Sequence, residues 1–340
     1  MSRGWAHPQT IRVEVTRDLG ARLGFLALTL AIGWVGFHAF AAGFGSSGNV
    51  PQFILVALNG LTLAGLYFIV ASGFTLIFGL MKVVNMVHGS FYLLGGYIAY
   101  ELVRNRVVNY WMAAALAAFA VGIAGLVIQQ VFLRWNQGQD LRQALITIAL
   151  SIIIGDQMLS TFGAAAVTIT PPEGLAGSLR AGVYGLQYPA FRLVVLLAAV
   201  LIGLVLWFGI RRTRFGMMIR AGVDDPGMAS AVGVNIQLVF AATFFIGALL
   251  AGLGGVFGGT VIALAPGQDA LFLLSSLIIV IIGGMGSLGG AMLGALALGL
   301  VDQLSAVYLP ANYTNYSILF TFVLLVFVLV ARPTGLFGRR

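Results

Sequence analysis

GFTLIFGLMKVVNMVHGSFYLLGGY, residues 73–97, joins two strongly apolar runs through a short segment that contains Lys82, Asn85, His88 and Ser90. The runs have the length and composition of membrane helices, and polar residues interrupt them close to where a membrane surface would lie. Irregular backbone at membrane depth is tolerated only where protein buries it or water fills a cavity. The stretch therefore predicts a membrane protein whose helices are interrupted at a functional site.

The whole chain is equally apolar. Of its 340 residues, 60% are hydrophobic and 8% are charged, and the mean hydropathy is +1.02. A soluble domain carries about 25% charged residues, so we expect an all-α integral membrane protein. The net charge of +8 does not indicate nucleic acid, because the basic residues lie between apolar runs. The absence of cysteine excludes disulfides and thiolate metal sites.

About ten membrane helices are predicted, at about 20 apolar residues for each full span. Strands are not expected, because alternation with a period of two is absent. The full-length candidates are residues 23–44, 53–80, 111–133, 141–162, 190–210, 238–259 and 316–331. Residues 89–103, 271–284 and 287–303 form shorter or glycine-interrupted candidates. Residues 1–22 are interpreted as a cytoplasmic tail and residues 23–340 as one transmembrane domain.

The distribution of Arg and Lys predicts the orientation, since cytoplasmic loops carry the excess of positive residues. With the N-terminus inside, fourteen of the 18 basic residues face the cytoplasm, and Arg104, Arg106, Arg180 and Arg192 face outward. Both termini are then cytoplasmic. The longest outer loop, about residues 163–189, offers a surface to something outside the membrane.

Two hairpins of short helices, one in each half of the chain, point to a translocation path. Candidate path residues are Asn85, His88, Gly89 and Ser90 in the first hairpin and Gly283, Gly284, Gly286 and Ser287 in the second. The alternative for the first is a plain cytoplasmic turn in which Asn85 caps the next helix.

Acidic residues are scarce in the predicted spans. Asp156 lies within the helix at residues 141–162, and an intramembrane acid marks a functional site by default. It lies either on the path or near the outer interface, paired with a neighbouring helix. Glu101 and Asp302 lie near helix ends and are interpreted as interfacial.

Small residues recur at a spacing of four, which lets helices approach closely in lipid. Packing within the chain is one interpretation, and a subunit interface is the other. The residues are Gly247, Ala251, Gly255 and Gly259 in one stripe and Gly286, Gly290 and Gly294 in a second.

The longest inner loop, residues 211–237, predicts a short helix at residues 226–232. Asp225 suits the N-cap, Pro226 the first helical position and Gly233 the end. The helix presents Met228, Ala229 and Val232, with Asp224 and Asp225 at its positive end. It fits docking into a partner's groove, and a helix that lies on the inner leaflet is the alternative.

Three blocks resemble the LivH-type permease subunits of branched-chain amino acid ABC importers. They are LTLAGLYFIVASGFTLIFGLMKVVNMVHGSFYLLGGYIAY, RAGVDDPGMASAVGVN and VIIGGMGSLGGAMLGALALGL, in this order along the chain. The resemblance extends from about Asn59 to the C-terminus. Met86-Val87 before His88 and Pro226-Gly227 depart from the usual pattern.

The resemblance implies a type II-like ABC importer permease, whose domain is residues 23–340 with its coupling loop at residues 211–237. It implies a path for branched-chain amino acids or a related small polar solute, delivered by a periplasmic binding protein across the bacterial inner membrane. Relatives are also associated with other amino acids, urea, amides and small carboxylates. A LivM-like sister permease and two ABC ATPase subunits are implied partners, and ATP and Mg bind in the ATPases. The residues that fall on the family's coupling pattern are Asp224, Asp225, Met228, Ala229 and Gly233. The family's first block contains Asn85, His88 and Gly89, and its last block contains Gly283, Gly284, Gly286 and Ser287.

Two other functions compete with a transport subunit. The chain contains no GxxxxGK[ST] phosphate loop, so we expect no ATP hydrolysis by it and no cofactor bound to it. A self-sufficient secondary transporter or channel would use Asp156 or His88 to carry protons, but proton relays usually need chains of acids and histidines. In an intramembrane enzyme, His88 and Asp156 are too isolated for a metal site or a nucleophile–base pair. No catalytic residue or metal ligand is predicted.

Overall fold

The structure, a computed structural model, describes residues 50–82, 84–181, 186–309 and 317–337. These ranges contain eleven α-helices and one two-stranded hairpin. The helices are α1 (Val50–Met81), α2 (Val87–Arg104), α3 (Tyr110–Ile128), α4 (Asp140–Phe162), α5 (Ala190–Arg212), α6 (Arg214–Asp224), α7 (Pro226–Ala231), α8 (Ile236–Val261), α9 (Gln268–Gly283), α10 (Leu288–Tyr308) and α11 (Ser317–Ala331). The predicted tail, residues 1–22, and the predicted helix at residues 23–44 lie outside the described residues.

The expected all-α membrane fold is confirmed. Each of the other nine predicted membrane helices is present, with ends displaced by a few residues. Among the described residues, six helices are long and apolar enough to cross a membrane, including α3 together with the π-helical and 3₁₀ turns that extend it to Asn136. α6 was not predicted, because its Arg214, Met217, Met218 and Arg220 give no apolar run.

The expectation of no strands is wrong for the loop between α4 and α5. There β1 (Ser178–Ala181) pairs antiparallel with β2 (Leu186–Pro189). Strands of four residues are too short to show alternation in the sequence. The segment before them is fixed to the end of α8, because Ile169 N donates to the carbonyl of Gly259 at 2.9 Å.

The core forms around α8, which packs against α1, α2 and α3, while α1 packs along α10. Glycines permit this close approach. A Cβ on Gly95 would lie 2.4 Å from Cα of Gly252, and one on Gly255 would lie 1.8 Å from the carbonyl oxygen of Tyr92. By contrast, α4 and α5 lie at the periphery and leave most of their apolar side chains exposed.

The two small-residue stripes lie inside this packing. Six of their seven residues are buried against other segments of the same chain, and Gly286 is exposed in a turn. These surroundings favour packing within the chain over an exposed interface. The buried residues are Gly247, Ala251, Gly255, Gly259, Gly290 and Gly294.

Candidate functional site

The first hairpin brings the start of α2 back alongside the interior of α1. The ring Nε2 of His88 lies 3.0 Å from the carbonyl oxygen of Val70, with which it hydrogen-bonds. Val70 is eleven residues before the end of α1, or about 16 Å along the helix axis. Lys82 adopts a left-handed φ of 56° where the chain leaves α1. The irregular backbone between the two helices therefore lies within the span of α1, with Asn85 buried and Lys82 exposed.

The residues predicted at this break are buried and link four helices. His88 is 0% exposed and meets the ring of Phe74 edge-on at 5.3 Å. Asn85 Oδ1 accepts a hydrogen bond from Val87 N at 3.2 Å, which fixes the start of α2. The Ser90 hydroxyl lies 2.9 Å from that of Ser151 on α4. Gly89 packs on the start of α9, since a Cβ there would lie 2.1 Å from the carbonyl oxygen of Asp269.

The second hairpin turns tightly on glycines. Gly284 and Gly286 have φ values of 93° and 76°, a region that glycine adopts without the steric cost of a side chain. Ser287 caps α10, because its hydroxyl accepts a hydrogen bond from Gly290 N at 3.1 Å. A Cβ on Gly283 would lie 2.4 Å from the carbonyl carbon of Gly290, so the two helices touch directly after the turn.

The turns of the two hairpins meet. A Cβ on Gly79, near the end of α1, would lie 2.9 Å from Cα of Gly286. The segment after α11 joins them, because Leu336 N donates to the carbonyl of Ile282 at 2.8 Å. The predicted path residues of the second hairpin thus lie where α1, α9 and α10 converge.

A cavity of about 360 Å³ lies at the opposite end of the bundle, among α1, α5, α8, α9 and α10. It has a polar and an apolar wall. The polar wall consists of Asn59, Thr62, Tyr67, Arg192, Gln268, Ser275, Asp302 and Gln303. The apolar wall consists of Leu63, Leu66, Val261, Ile262, Leu271 and Phe272. None of the path residues predicted from sequence lines this cavity.

Hydrogen bonds fix the polar wall. The Tyr67 hydroxyl donates to Asp302 Oδ2 at 2.8 Å, and the guanidinium of Arg192 donates to Asn59 Oδ1. Tyr188 of β2 closes the outer edge, where its hydroxyl bonds to that of Thr62 and donates to the carbonyl of Leu58 at 2.9 Å.

Burial raises the pKa of Tyr188 above its usual value. Its hydrogen bond to Thr62 and the charge of Arg192 act in the opposite direction.

The residues of the polar wall were not predicted from the sequence. Asp302 was interpreted as interfacial, but it lies six residues before the end of α10 and lines the cavity. Its polarity within an apolar helix, together with that of Tyr67, was the available signal. Glu101 does lie in a solvent-accessible pair, since its carboxylate is 3.7 Å from the Arg104 guanidinium.

Asp156 lies on the exposed surface of α4. Among the described residues its side chain has no hydrogen bond or ion pair. Its neighbour Gly155 faces α9, because a Cβ there would lie 3.6 Å from a carboxylate oxygen of Asp269. The acid therefore points away from the helices of its own chain.

The loop between α5 and α8 forms two helices, α6 and α7. Asp225 caps α7, accepting a hydrogen bond from Met228 N at 3.0 Å. Gly233 ends it with a φ of 90°. Met228 and Val232 are 65% and 74% exposed. The expectation that Ala229 is also exposed is wrong: it is 4% exposed, because it faces the body of the protein.

α6 anchors this loop to the bundle. Its Ile219 is buried in a cluster with Leu80 at the end of α1 and Val239 and Phe240 at the start of α8. Asp224, the last residue of α6, is exposed beside the cap of α7. The helix that presents Met228 is thereby connected to the first hairpin.

Among the described residues, no group of three or more His, Asp or Glu side chains could hold a metal ion. The arrangement is a helical bundle with broken hairpins, a polar cavity and an exposed helix at opposite ends. These are the features of a transport protein.

Residues 56–329 match the protein family described as branched-chain amino acid transport system / permease component. The chain belongs to this family. The match begins within α1 and ends within α11, so it includes both hairpins, the cavity and the loop that forms α6 and α7. No solved structure matches the chain.

Characterised relatives agree with this family. The high-affinity branched-chain amino acid transport system permease protein LivH of Escherichia coli K12 is 31% identical over 300 residues, 84% of this chain and 96% of LivH. BraD, of the same description, from Pseudomonas aeruginosa PAO1 is 31% identical over 304 residues, 86% of this chain and 97% of BraD. LivM of E. coli K12 is 26% identical over 305 residues, 81% of this chain and 68% of LivM.

Proposed function

We propose that this chain is a membrane-spanning permease subunit of an ATP-driven ABC importer for branched-chain amino acids or a related small polar solute. The family match over residues 56–329 carries the proposal. The broken hairpins that meet at Gly79 and Gly286 add physical support, because paired interrupted helices in two halves of a chain are typical of transport pathways.

Charge supports an orientation with α7 in the cytoplasm. Eight basic residues lie at the end of the bundle that holds α6, α7 and the hairpin turns: Lys82, Arg134, Arg142, Arg211, Arg212, Arg214, Arg220 and Arg332. At the other end, the described residues include Arg104, Arg106, Arg180 and Arg192. The positive-inside rule places the richer end in the cytoplasm and the cavity on the outer side.

In this orientation the loop between α4 and α5 faces outward. Its β-hairpin is tied to α1 by Tyr188, and the segment before the β-hairpin is tied to α8 by Ile169. A surface fixed in this way suits the docking of a periplasmic binding protein that delivers solute to the cavity beneath it. The membrane is then the bacterial inner membrane, with both termini in the cytoplasm.

ATP is hydrolysed in trans. α7 offers Met228 and Val232 to a groove in an ATPase subunit, and the ATP and Mg bind there rather than in this chain. Asp225 and Gly233 set the two ends of the helix, while Ala229 seats it on the bundle. Asp224 precedes the cap and adds negative charge at the positive end of the helix dipole.

Force on α7 would reach the translocation path through α6. Ile219 packs on Leu80, two residues before Lys82 and the irregular backbone that leads to His88. The opposite hairpin touches this region at Gly79. A small movement of α6 therefore changes the contact between the two hairpins, where we place the inner gate.

The pore is completed by a LivM-like sister permease. The chain matches LivM as well as LivH, and α4 presents a largely exposed face that includes Asp156. Two ATPase subunits would then serve the two permeases.

Purification of the assembly from its native membrane tests this function. We expect mild detergent to recover the chain with an ATPase and a second permease, and uptake of labelled leucine by the reconstituted assembly to require ATP and the binding protein. Recovery of the chain alone, active in liposomes without ATP, would overturn the proposal in favour of a secondary transporter or channel.

A further inference from the structure

Asp302 is an acid on a membrane-spanning helix that faces a cavity. Tyr67 donates to one of its carboxylate oxygens at 2.8 Å, and no basic side chain within the described ranges forms an ion pair with it. A carboxylate within a membrane span is costly unless a partner compensates its charge. The described chain leaves one carboxylate oxygen for a partner that comes from outside.

The remaining walls suit a small solute with an apolar body. Leu66, Leu271 and Phe272 line the cavity beside the acid. The ring of Phe272 is fixed, because it stacks on Tyr92 at 3.9 Å and meets Tyr67 edge-on at 5.6 Å. The volume of about 360 Å³ falls within the range of small-molecule sites, roughly 300–1,000 Å³.

We propose that this cavity is a solute-binding site of the permease itself, in which Asp302, oriented by Tyr67, accepts the ammonium group of an aliphatic amino acid. The apolar wall covers the solute's side chain. The inference rests on the proposed transport function for the role of the site, but the binding itself needs no ATPase.

Arg192 forms a second charged group, separate from the first. Its guanidinium is held by Asn59, eight residues before Tyr67 on α1. Asp302 and Arg192 line the same cavity. Gln303, beside Asp302, packs near Asn59, since a Cβ on Gly60 would lie 3.3 Å from its Cβ. One amino acid, whose ammonium and carboxylate share one carbon, therefore engages both groups.

Arg192 begins α5 at the outer edge beside β2. It attracts the carboxylate of an arriving solute, as a charged cleft raises the local concentration of its ligand. The ammonium of the same molecule binds Asp302.

Three leucine-related probes separate these groups. Leucine carries both charges, isoamylamine carries only the ammonium, and 4-methylpentanoate carries only the carboxylate. The full-length chain in lipid nanodiscs is heated with each probe, since a ligand that binds the folded state raises the melting temperature. We expect leucine and isoamylamine to raise it and 4-methylpentanoate to leave it unchanged.

Variants assign the effect to named residues. Asp302→Asn keeps an acceptor for Tyr67 but removes the charge, and we expect it to weaken isoamylamine binding about tenfold or more, as for the loss of a charged hydrogen bond. Arg192→Gln leaves isoamylamine binding unchanged and weakens only leucine binding. Glu101→Gln, which removes an acid paired with Arg104 outside the cavity, leaves both unchanged.

Thiol labelling gives a second measurement of probe binding, and it does not depend on the thermal stability of the variants. The natural chain has no cysteine, so Ser275→Cys places a single thiol in the cavity wall. We expect isoamylamine to slow its modification in the presence of Asp302 and to have no effect once Asp302→Asn is added.

Equal protection by 4-methylpentanoate and isoamylamine, or unaltered isoamylamine binding in Asp302→Asn, would overturn the site. The site would also be overturned if no probe raised the melting temperature or slowed the thiol modification. Failure of the transport proposal would give a different result. Uptake by the assembly would then proceed without ATP, whether or not the probes bind the chain.

Discussion

The contact between α2 and α8 at Gly255 predicts a large effect of a single methyl group. In Gly255→Ala, the new Cβ would lie 1.8 Å from the carbonyl oxygen of Tyr92, where ordinary contact begins at 3.4 Å. The two backbones must therefore separate by about 1.6 Å, the difference between these two distances. No rotamer change relieves the clash, because both atoms are held by helix backbone.

Overpacking of a well-packed core costs about 1–3 kcal/mol, occasionally more. Gly255→Ala should lie at the upper end, near 3 kcal/mol, because separation of the helices also loosens the contact between Gly95 and Gly252. For a chain of 340 residues, with an unfolding entropy of about 2.1 cal/mol/K per residue, we expect a fall in melting temperature of roughly 4 °C. Thermal unfolding of the purified chain in detergent, followed by circular dichroism, measures it.

Gly209→Ala on α5 is the matched control. A Cβ there meets nothing within 4 Å, and alanine favours a helix over glycine by about 0.8–1.0 kcal/mol. The control should melt at the same temperature as the natural chain or slightly above it. If Gly255→Ala and Gly209→Ala melt at the same temperature, α2 and α8 do not approach as closely as described and the reasoning is refuted.

Three further predictions concern coupling and the first hairpin. Met228→Asp should abolish transport-stimulated ATP hydrolysis in the assembly while the chain stays folded, because it puts a charge on the exposed docking surface of α7. Val107→Asp, at a similarly exposed apolar residue at the opposite end of the bundle, should not. Asp225→Ala should weaken the same stimulation through the loss of a cap worth about 1 kcal/mol, and Asp225→Asn should restore it. His88→Ala should lower the melting temperature, since it leaves the Val70 carbonyl buried without its partner at a cost of about 1–3 kcal/mol.

Each has a result that contradicts it. Intact stimulation in Met228→Asp, or equal loss in Val107→Asp, would remove α7 from its assigned role. Equal behaviour of Asp225→Ala and Asp225→Asn would show that the cap does not matter. A His88→Ala chain that keeps its stability but loses uptake at one pH only would favour the proton-carrying alternative.

The fold could be predicted because its elements are local in sequence. Runs of about 20 apolar residues specify membrane spans without reference to neighbours, and Asp225, Pro226 and Gly233 specify a short helix through local backbone chemistry. α6 and the β1–β2 hairpin were missed for the complementary reason. Both are short, and they depend on packing against the ends of α1, α5 and α8 rather than on an apolar pattern of their own.

The candidate site could be predicted only in part. The break near His88 was visible as polar residues between apolar runs, but its burial depends on a carbonyl of α1 that no sequence pattern identifies. Ala229 was assigned to the exposed patch because a six-residue helix gives no sign of which side faces the bundle. The cavity was missed entirely, because α1, α5, α8, α9 and α10 contribute to it from positions up to 244 residues apart, such as Asn59 and Gln303.

Cross-linking from α7 tests the central claim, that this permease is driven by an ATPase through its cytoplasmic helix. Since the natural chain has no cysteine, Met228→Cys gives a single exposed thiol on α7, and Val107→Cys gives one of similar exposure at the opposite end of the bundle. A short bifunctional thiol–amine reagent is added to native membranes. We predict a cross-linked product from Met228→Cys that contains an ATPase subunit and changes in yield with ATP, and none from Val107→Cys. Equal products from both thiols, or no ATPase in the product from Met228→Cys, would contradict the account.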